Sequence, residues 1–227
     1  MKCKAILMVP LLAAAPAWAQ TVVSTSVSNN TVISLPDGNT AGVTEQFTLS
    51  GLSGSVANVQ LQLNLSGGFN GDLYAYLVNP QGQMAVLLNR SGVNAGNAFG
   101  YADAGMAITL DGAASANIHD YQSGSYSLVG GQLTGTWAAD GRNVDPLSAG
   151  SVFDSAAVSA GLNLFTGVNA ADLNGTWTLF IADLAAGGGT TVVDWTMLTV
   201  TTIPEPQPWL LVGSGLAVLA LFRRRKV

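Results

Sequence analysis

An all-β fold, an antiparallel β-sandwich or jelly roll, is predicted for residues 28–202 by two observations. The first is strict alternation over Asn58-Val59-Gln60-Leu61-Gln62-Leu63-Asn64-Leu65, which puts four apolar side chains on one face and amides on the other. A strand dry on one side and wet on the other is what an antiparallel two-layer fold requires. The second is a series of short apolar segments separated by Gly, Asn and Pro clusters, with no long helical period and no fixed repeat. Cys3 is the single cysteine, so everything after it must be held together by its core or by bound ions.

Taken in order, Met1 to Lys4 is positively charged and Ala5 to Ala15 is apolar, broken only by Pro10. Pro16-Ala17-Trp18-Ala19 then offers small residues ahead of Gln20, so residues 1–19 read as a secretory signal peptide cleaved between Ala19 and Gln20. Residues 20–27 form a short N-terminal extension. Strands are expected at Val43 to Leu49, around the 58–65 alternation, and at Asp72 to Val78, Ala85 to Asn89, Ala107 to Leu110, Ser125 to Val129, Thr176 to Ala182 and Val192 to Thr201. Gly51, Gly67-Gly68, Asn79-Pro80-Gln81-Gly82, Asp111-Gly112, Gly130-Gly131 and Gly187 to Gly189 supply the turns. Asn79 to Gly82 is a tight turn, because proline presets φ and glycine accepts a left-handed conformation. On alternate positions, Trp177, Leu179 and Ile181 should meet Leu73, Ala75 and Leu77 in the core, with Trp195 on the same wall. The middle, residues 91–172, is an elaboration in which Thr136 to Pro146 reads as a polar loop, the place to look for a partner surface.

The full chain carries 8 basic and 13 acidic residues, net −5. Between Gln20 and Ile203 only Arg90 and Arg142 remain against 12 carboxylates, and no lysine is left. Such a surface repels phosphate backbones and excludes nucleic acid as a partner.

Two segments are more specific than the strand pattern. Gly71-Asp72-Leu73 opens a strand that ends in Asn79-Pro80-Gln81-Gly82 and is followed by the leucine-rich Ala85 to Asn89. Near the end come Gly175-Thr176-Trp177-Thr178-Leu179, Asp183 and a last strand containing Trp195. In this order they resemble the P domain (P/homo B domain) that follows the catalytic domain of proprotein convertases and many bacterial subtilisin-like proteases. The resemblance covers residues 28–201. It departs from the family at Gly67, where a histidine is common, and in the length of the middle. It implies a module that stabilises or regulates a protease unit and that often carries structural calcium, for which Asp72, Asp183 and Asp194 are the candidate ligands.

Residues 203–227 combine Pro204-Glu205-Pro206, an apolar run from Trp209 to Phe222 and the basic cluster Arg223, Arg224, Arg225 and Lys226. The run is 14 residues long, short of the ~20 that span a bilayer core. This tail resembles the PEP-CTERM sorting signal of exported proteins in Gram-negative bacteria. The resemblance implies recognition by an exosortase, transient anchoring in the inner membrane through the C-terminal apolar helix, and delivery to the cell surface or extracellular matrix.

Catalytic chemistry is not indicated. The one histidine, His119, stands beside Asp120, and neighbours on an extended strand point to opposite faces. No Gly-x-Ser-x-Gly elbow or zinc spacing is present. The expectation is therefore a non-catalytic binding or structural module. One alternative is an accessory domain of a subtilisin-like serine endopeptidase at the cell surface. Another is a carbohydrate-binding module for extracellular polysaccharide, using Tyr101, Tyr121, Trp137 or Phe153 as an aromatic surface.

Overall fold

The alternation at residues 58–65 lies at the middle of a sheet. In the computed structural model, which describes residues 22–205, it belongs to β4 (Ser55–Ser66), and Val59, Leu61, Leu63 and Leu65 are all buried while the intervening amides are half-exposed. The signal-peptide residues Ala19 and Gln20 and the tail residues Pro206 and Arg223 to Arg225 lie outside the described residues. Pro204 and Glu205 are the last two described, directly after the final strand.

The remaining strands are β1 (Val23–Asn29), β2 (Ile33–Leu35), β3 (Asn39–Leu49), β5 (Leu73–Val78), β6 (Met84–Asn89), β7 (Gly105–Asp111), β8 (Ser127–Val129), β9 (Gln132–Trp137), β10 (Gly175–Asp183) and β11 (Thr191–Ile203). They form two sheets. The larger runs β1-β11-β4-β7-β9-β8, with β2 also pairing β11, and the smaller runs β3-β10-β5-β6. Every pairing is antiparallel except β7 with β9. One core joins the sheets: Leu61, Leu63, Leu198 and Val200 from the larger meet Phe47, Leu77, Trp177 and Leu179 from the smaller. Among the described residues no helix is long and apolar enough to cross a membrane.

All the expected strands are present. Leu179 stands opposite Leu77 and Ile181 opposite Ala75, and these residues are buried with Leu73 and Trp177. The turn after β5 forms around Asn79, whose side-chain oxygen accepts from the amides of Gln81 (3.0 Å) and Gln83 (2.9 Å), with Gly82 left-handed. Trp195 is a correction. A bulge between Val193 and Trp195 shifts the β11 register, so Thr196 is buried opposite Leu63 and the tryptophan is only half-buried. A second correction concerns residues 20–27, because β1 begins inside them at Val23 and pairs with β11 up to Thr202.

A third correction concerns the middle. Residues 91–172 supply β7, β8, β9 and the helix α1 (Gly150–Ser155). Thr136 and Trp137 end β9, and the chain then runs inward. The amides of Asp140 and Gly141 donate to the carbonyls of Leu87 (2.9 Å) and Val86 (3.1 Å), covering the free edge of β6. That is why four successive β6 residues, Ala85 to Leu88, are buried. A bare sheet edge invites pairing with other chains, and this strap closes one.

Candidate functional site

Four loops gather at one end of the two sheets: 36–38 before β3, 67–72 before β5, 90–104 after β6 and 184–190 after β10. Glycine lets them approach. A Cβ on Gly71 would collide with the carbonyl of Phe99, and one on Gly68 with the hydroxyl of Thr191, so no other residue fits either place. The amide of Gly71 donates to the carbonyl of Tyr101 (2.8 Å), Leu184 to that of Asp72 (2.8 Å) and Tyr101 to that of Ser91 (2.9 Å). Arg90 adopts a left-handed backbone (φ 52°), an uncommon conformation for a residue with a Cβ. Its guanidinium reaches the carbonyls of Gly71 (Nε, 3.2 Å) and Ala98 (Nη2, 3.4 Å).

Between these loops lies a cleft of about 220 Å³, lined by Phe69, Asp72, Phe99, Tyr101 and residues 185–187. Phe99 is 81% exposed at its rim. Three carboxylates stand around it in different states. Asp37 accepts from the amide of Gly187 through both oxygens (3.1 and 3.0 Å). Asp183 accepts from the amide of Gly38 (3.5 Å) and the hydroxyl of Thr191 (3.1 Å). Asp72 is 5% exposed, and its carboxylate accepts no hydrogen bond among the described residues. Burial pushes its pKa up to about 6, the negative charges of Asp183 and Asp37 push the same way, and Arg90 pulls against them. Burial likewise raises Asp183, against the hydrogen bonds from Gly38 and Thr191.

These contacts place the expected calcium ligands. Asp72 and Asp183 are neighbours, but Asp194 sits in the β11 bulge and is not among the charges that act on either. Among the described residues no group of three or more His, Cys, Asp or Glu side chains is arranged to hold a metal. The expected trio does not assemble.

The aromatic surface needs correcting as well. Tyr121 and Phe153 are each 1% exposed and Trp137 is 7% exposed. Tyr121 is the hub of a cluster of edge-to-face rings, with Tyr101 at 4.6 Å, Tyr126 at 5.6 Å and Trp137 at 6.1 Å. Its hydroxyl donates to Asp103 (2.7 Å). These rings fill the space under the elaboration, and of the four expected residues only Tyr101 borders the cleft.

Phe153 stacks on His119 (5.8 Å, 19°). The histidine is buried, and it pairs with Asp140 rather than with the adjacent Asp120. Nδ1 lies 2.7 Å from the Asp140 carboxylate and Nε2 lies 3.0 Å from the carbonyl of Val93. Both nitrogens face oxygen partners, an arrangement that favours the doubly protonated ring. Burial alone would lower its pKa, but the hydrogen bond and charge of Asp140 outweigh that and hold it raised. Asp140 also receives the amides of Asn89 (3.2 Å) and Arg142 (3.1 Å), and Arg142 extends the network to Asp120 (3.0 Å). Among the described residues neither ring nitrogen of His119 is hydrogen-bonded to a hydroxyl.

Sequence reasoning missed Phe69 and Phe99 as parts of the cleft, and Asp37 and Arg90 as residues that tie its loops together. Only the glycines of 67–71 and 187–189 hinted that backbone segments meet there.

No family model matches the chain. Over 73 residues, 32% of this chain, it is 36% identical to leupeptin-inactivating enzyme 1 of Streptomyces exfoliatus, and it spans 17% of that enzyme's length. Among solved structures it is similar to a chain in the complex of the Aeromonas sobria serine protease with its chaperone (TM-score 0.44, 12% identity, 82% of this chain and 28% of the other). It is similar also to the serine protease of Aeromonas sobria alone (TM-score 0.43, 14% identity, 81% of this chain and 28% of the other).

Proposed function

We propose that this chain is an exported, non-catalytic binding module, a jelly-roll sandwich of the P-domain type, sorted by an exosortase to the cell surface or extracellular matrix. The observation that carries the reading is the loop end: the two-sheet scaffold presents a cleft there with an exposed phenylalanine at its rim. Loops on rigid scaffolds are where recognition concentrates. His119 supports the non-catalytic part, since it is buried and both its ring nitrogens are engaged, by Asp140 and by the carbonyl of Val93. Pro204 and Glu205, the first two residues of the proposed Pro-Glu-Pro motif, follow β11 directly. Purified protein should leave casein intact, and the surface partner it retains should be lost with Phe99→Ser. Hydrolysis of casein by the pure chain would overturn the reading.

A second reading, an accessory domain acting with a protease, is favoured by the 73-residue likeness to leupeptin-inactivating enzyme 1. It expects a protease to co-purify from the native source and to lose heat stability when this chain is removed.

A further inference from the structure

The cleft holds a carboxylate in an unusual condition. A buried charge or polar group is normally matched by donors, and leaving one unmatched is costly. Asp37 and Asp183 are matched, by Gly187, Gly38 and Thr191. Asp72, which lines the cleft with Phe69, Phe99 and Tyr101, accepts from none of the described residues, and its carboxylate oxygens are open to the cleft rather than sealed from it. The nearby cation, Arg90, has its guanidinium turned to the carbonyls of Gly71 and Ala98, where it ties loops together.

We propose that this cleft receives one arginine side chain of a partner protein, its guanidinium donating to Asp72 and stacking against Phe99 and Tyr101. The proposal rests on the binding-module reading and names the chemistry of its partner. Four features select this occupant. A planar guanidinium offers a fork of donors that matches a carboxylate. Its faces stack on aromatic rings, and Phe69, Phe99 and Tyr101 supply them. A space of about 220 Å³ suits a single side chain rather than a folded segment. Finally, the 12 acidic and two basic residues between Gln20 and Ile203 give a field that steers basic partners inward. A metal is the poorer fit, because two of the three carboxylates are already turned to amides and a hydroxyl. The raised proton affinity of Asp72, set first by burial and then by the charge of Asp183, is what the positive charge of a docked guanidinium would oppose.

The test is an NMR titration of the full-length chain with N-acetyl-arginine amide, comparing the neutral isostere N-acetyl-citrulline amide, N-acetyl-lysine amide and calcium chloride. The arginine probe should give saturable amide shifts confined to Asp72, Phe99, Tyr101 and Gly187. Asp72→Asn, near-isosteric and free of like-charge repulsion, should weaken binding about tenfold, as loss of a charge-assisted pair does. Phe99→Ser, at an exposed position, should weaken it while leaving the rest of the spectrum unchanged. Equal shifts from citrulline or lysine would overturn the assignment, as would calcium reproducing them or an affinity indifferent to both substitutions. Such a failure would leave the binding-module reading standing, whereas casein hydrolysis would remove that reading without touching the cleft.

Discussion

Glu45 shows how a single residue can set the pH behaviour of this fold. It lies on β3, buried, with Oε2 accepting the hydroxyl of Thr196 on β11 (2.6 Å), so it bonds one sheet to the other. Oε1 has no partner among the described residues. Burial raises its pKa above the ordinary 4.5, and the Thr196 bond only partly offsets this. A raised folded-state pKa means that the protonated form belongs to the fold. Its contribution is complete below the unfolded value and is lost as pH rises through the folded one. Glu45→Gln removes the ionisation and keeps an oxygen for Thr196. It should raise the melting temperature at about pH 8 by roughly 2–4 °C, the equivalent of ~1 kcal/mol, and leave it unchanged near pH 4. A lower melting temperature at both pH values would show instead that the carboxylate is a net asset to the core.

The elements of the fold were legible in proportion to their alternation. Residues 59–65 of β4 gave a strand at once, and Trp177, Leu179 and Ile181 gave both β10 and the face it buries. β1, Val-Ser-Thr-Ser-Val-Ser-Asn, has hydroxyls where apolar residues would announce a strand; two of them bond across to β11, Ser24 to Thr201 and Ser26 to Thr199. β9 buries only Leu133 and Trp137 and pairs in parallel with β7, a long-range choice that local pattern does not encode. The His119–Asp140 pair spans 21 residues, and sequence offered only the neighbour Asp120. That pair is the clamp of the elaboration: it joins the 118–123 turn, the Val93 loop, the strap over β6 and α1 through Phe153. Removing one partner of a buried ion pair strands the other, so His119→Ala should cost about 3 kcal/mol in urea unfolding near pH 6. The folded His119 pKa is raised above its ordinary 6.5. Its contribution is therefore full below that value and is lost as pH rises through the folded one. The cost of His119→Ala should shrink accordingly by about pH 9, with Asp120, Asp140 and Arg142 still present to repel or pair. A cost that does not change with pH would show that the ring acts only by packing on Phe153.

At the scale of the molecule, charge and the loop end belong to one problem. The site was not legible because Asp37, Asp72, Phe99 and Gly187 are brought together only by the closing of two sheets; the sequence separates them by up to 150 positions. What sequence did show was the acidic excess, and with it two readings: charge that keeps an exported protein soluble, or carboxylates that bind cations. They differ in response to salt. Diffuse repulsion among carboxylates is relieved by any electrolyte, because at ~0.1 M ionic strength exposed charges are screened beyond about 10 Å. A chelating site responds to calcium alone, by the linkage between binding and unfolding. With Asp183 and Asp37 turned to amides and Asp194 away from them, calcium chloride and sodium chloride at matched ionic strength should raise the melting temperature equally. A rise specific to millimolar calcium would mean that the fold holds a chelating site, and in the cleft it would require Asp183 and Asp37 to exchange their present partners for the ion. Asp72→Asn would then abolish that rise if the ion occupied the cleft, and leave it intact if the ion bound elsewhere.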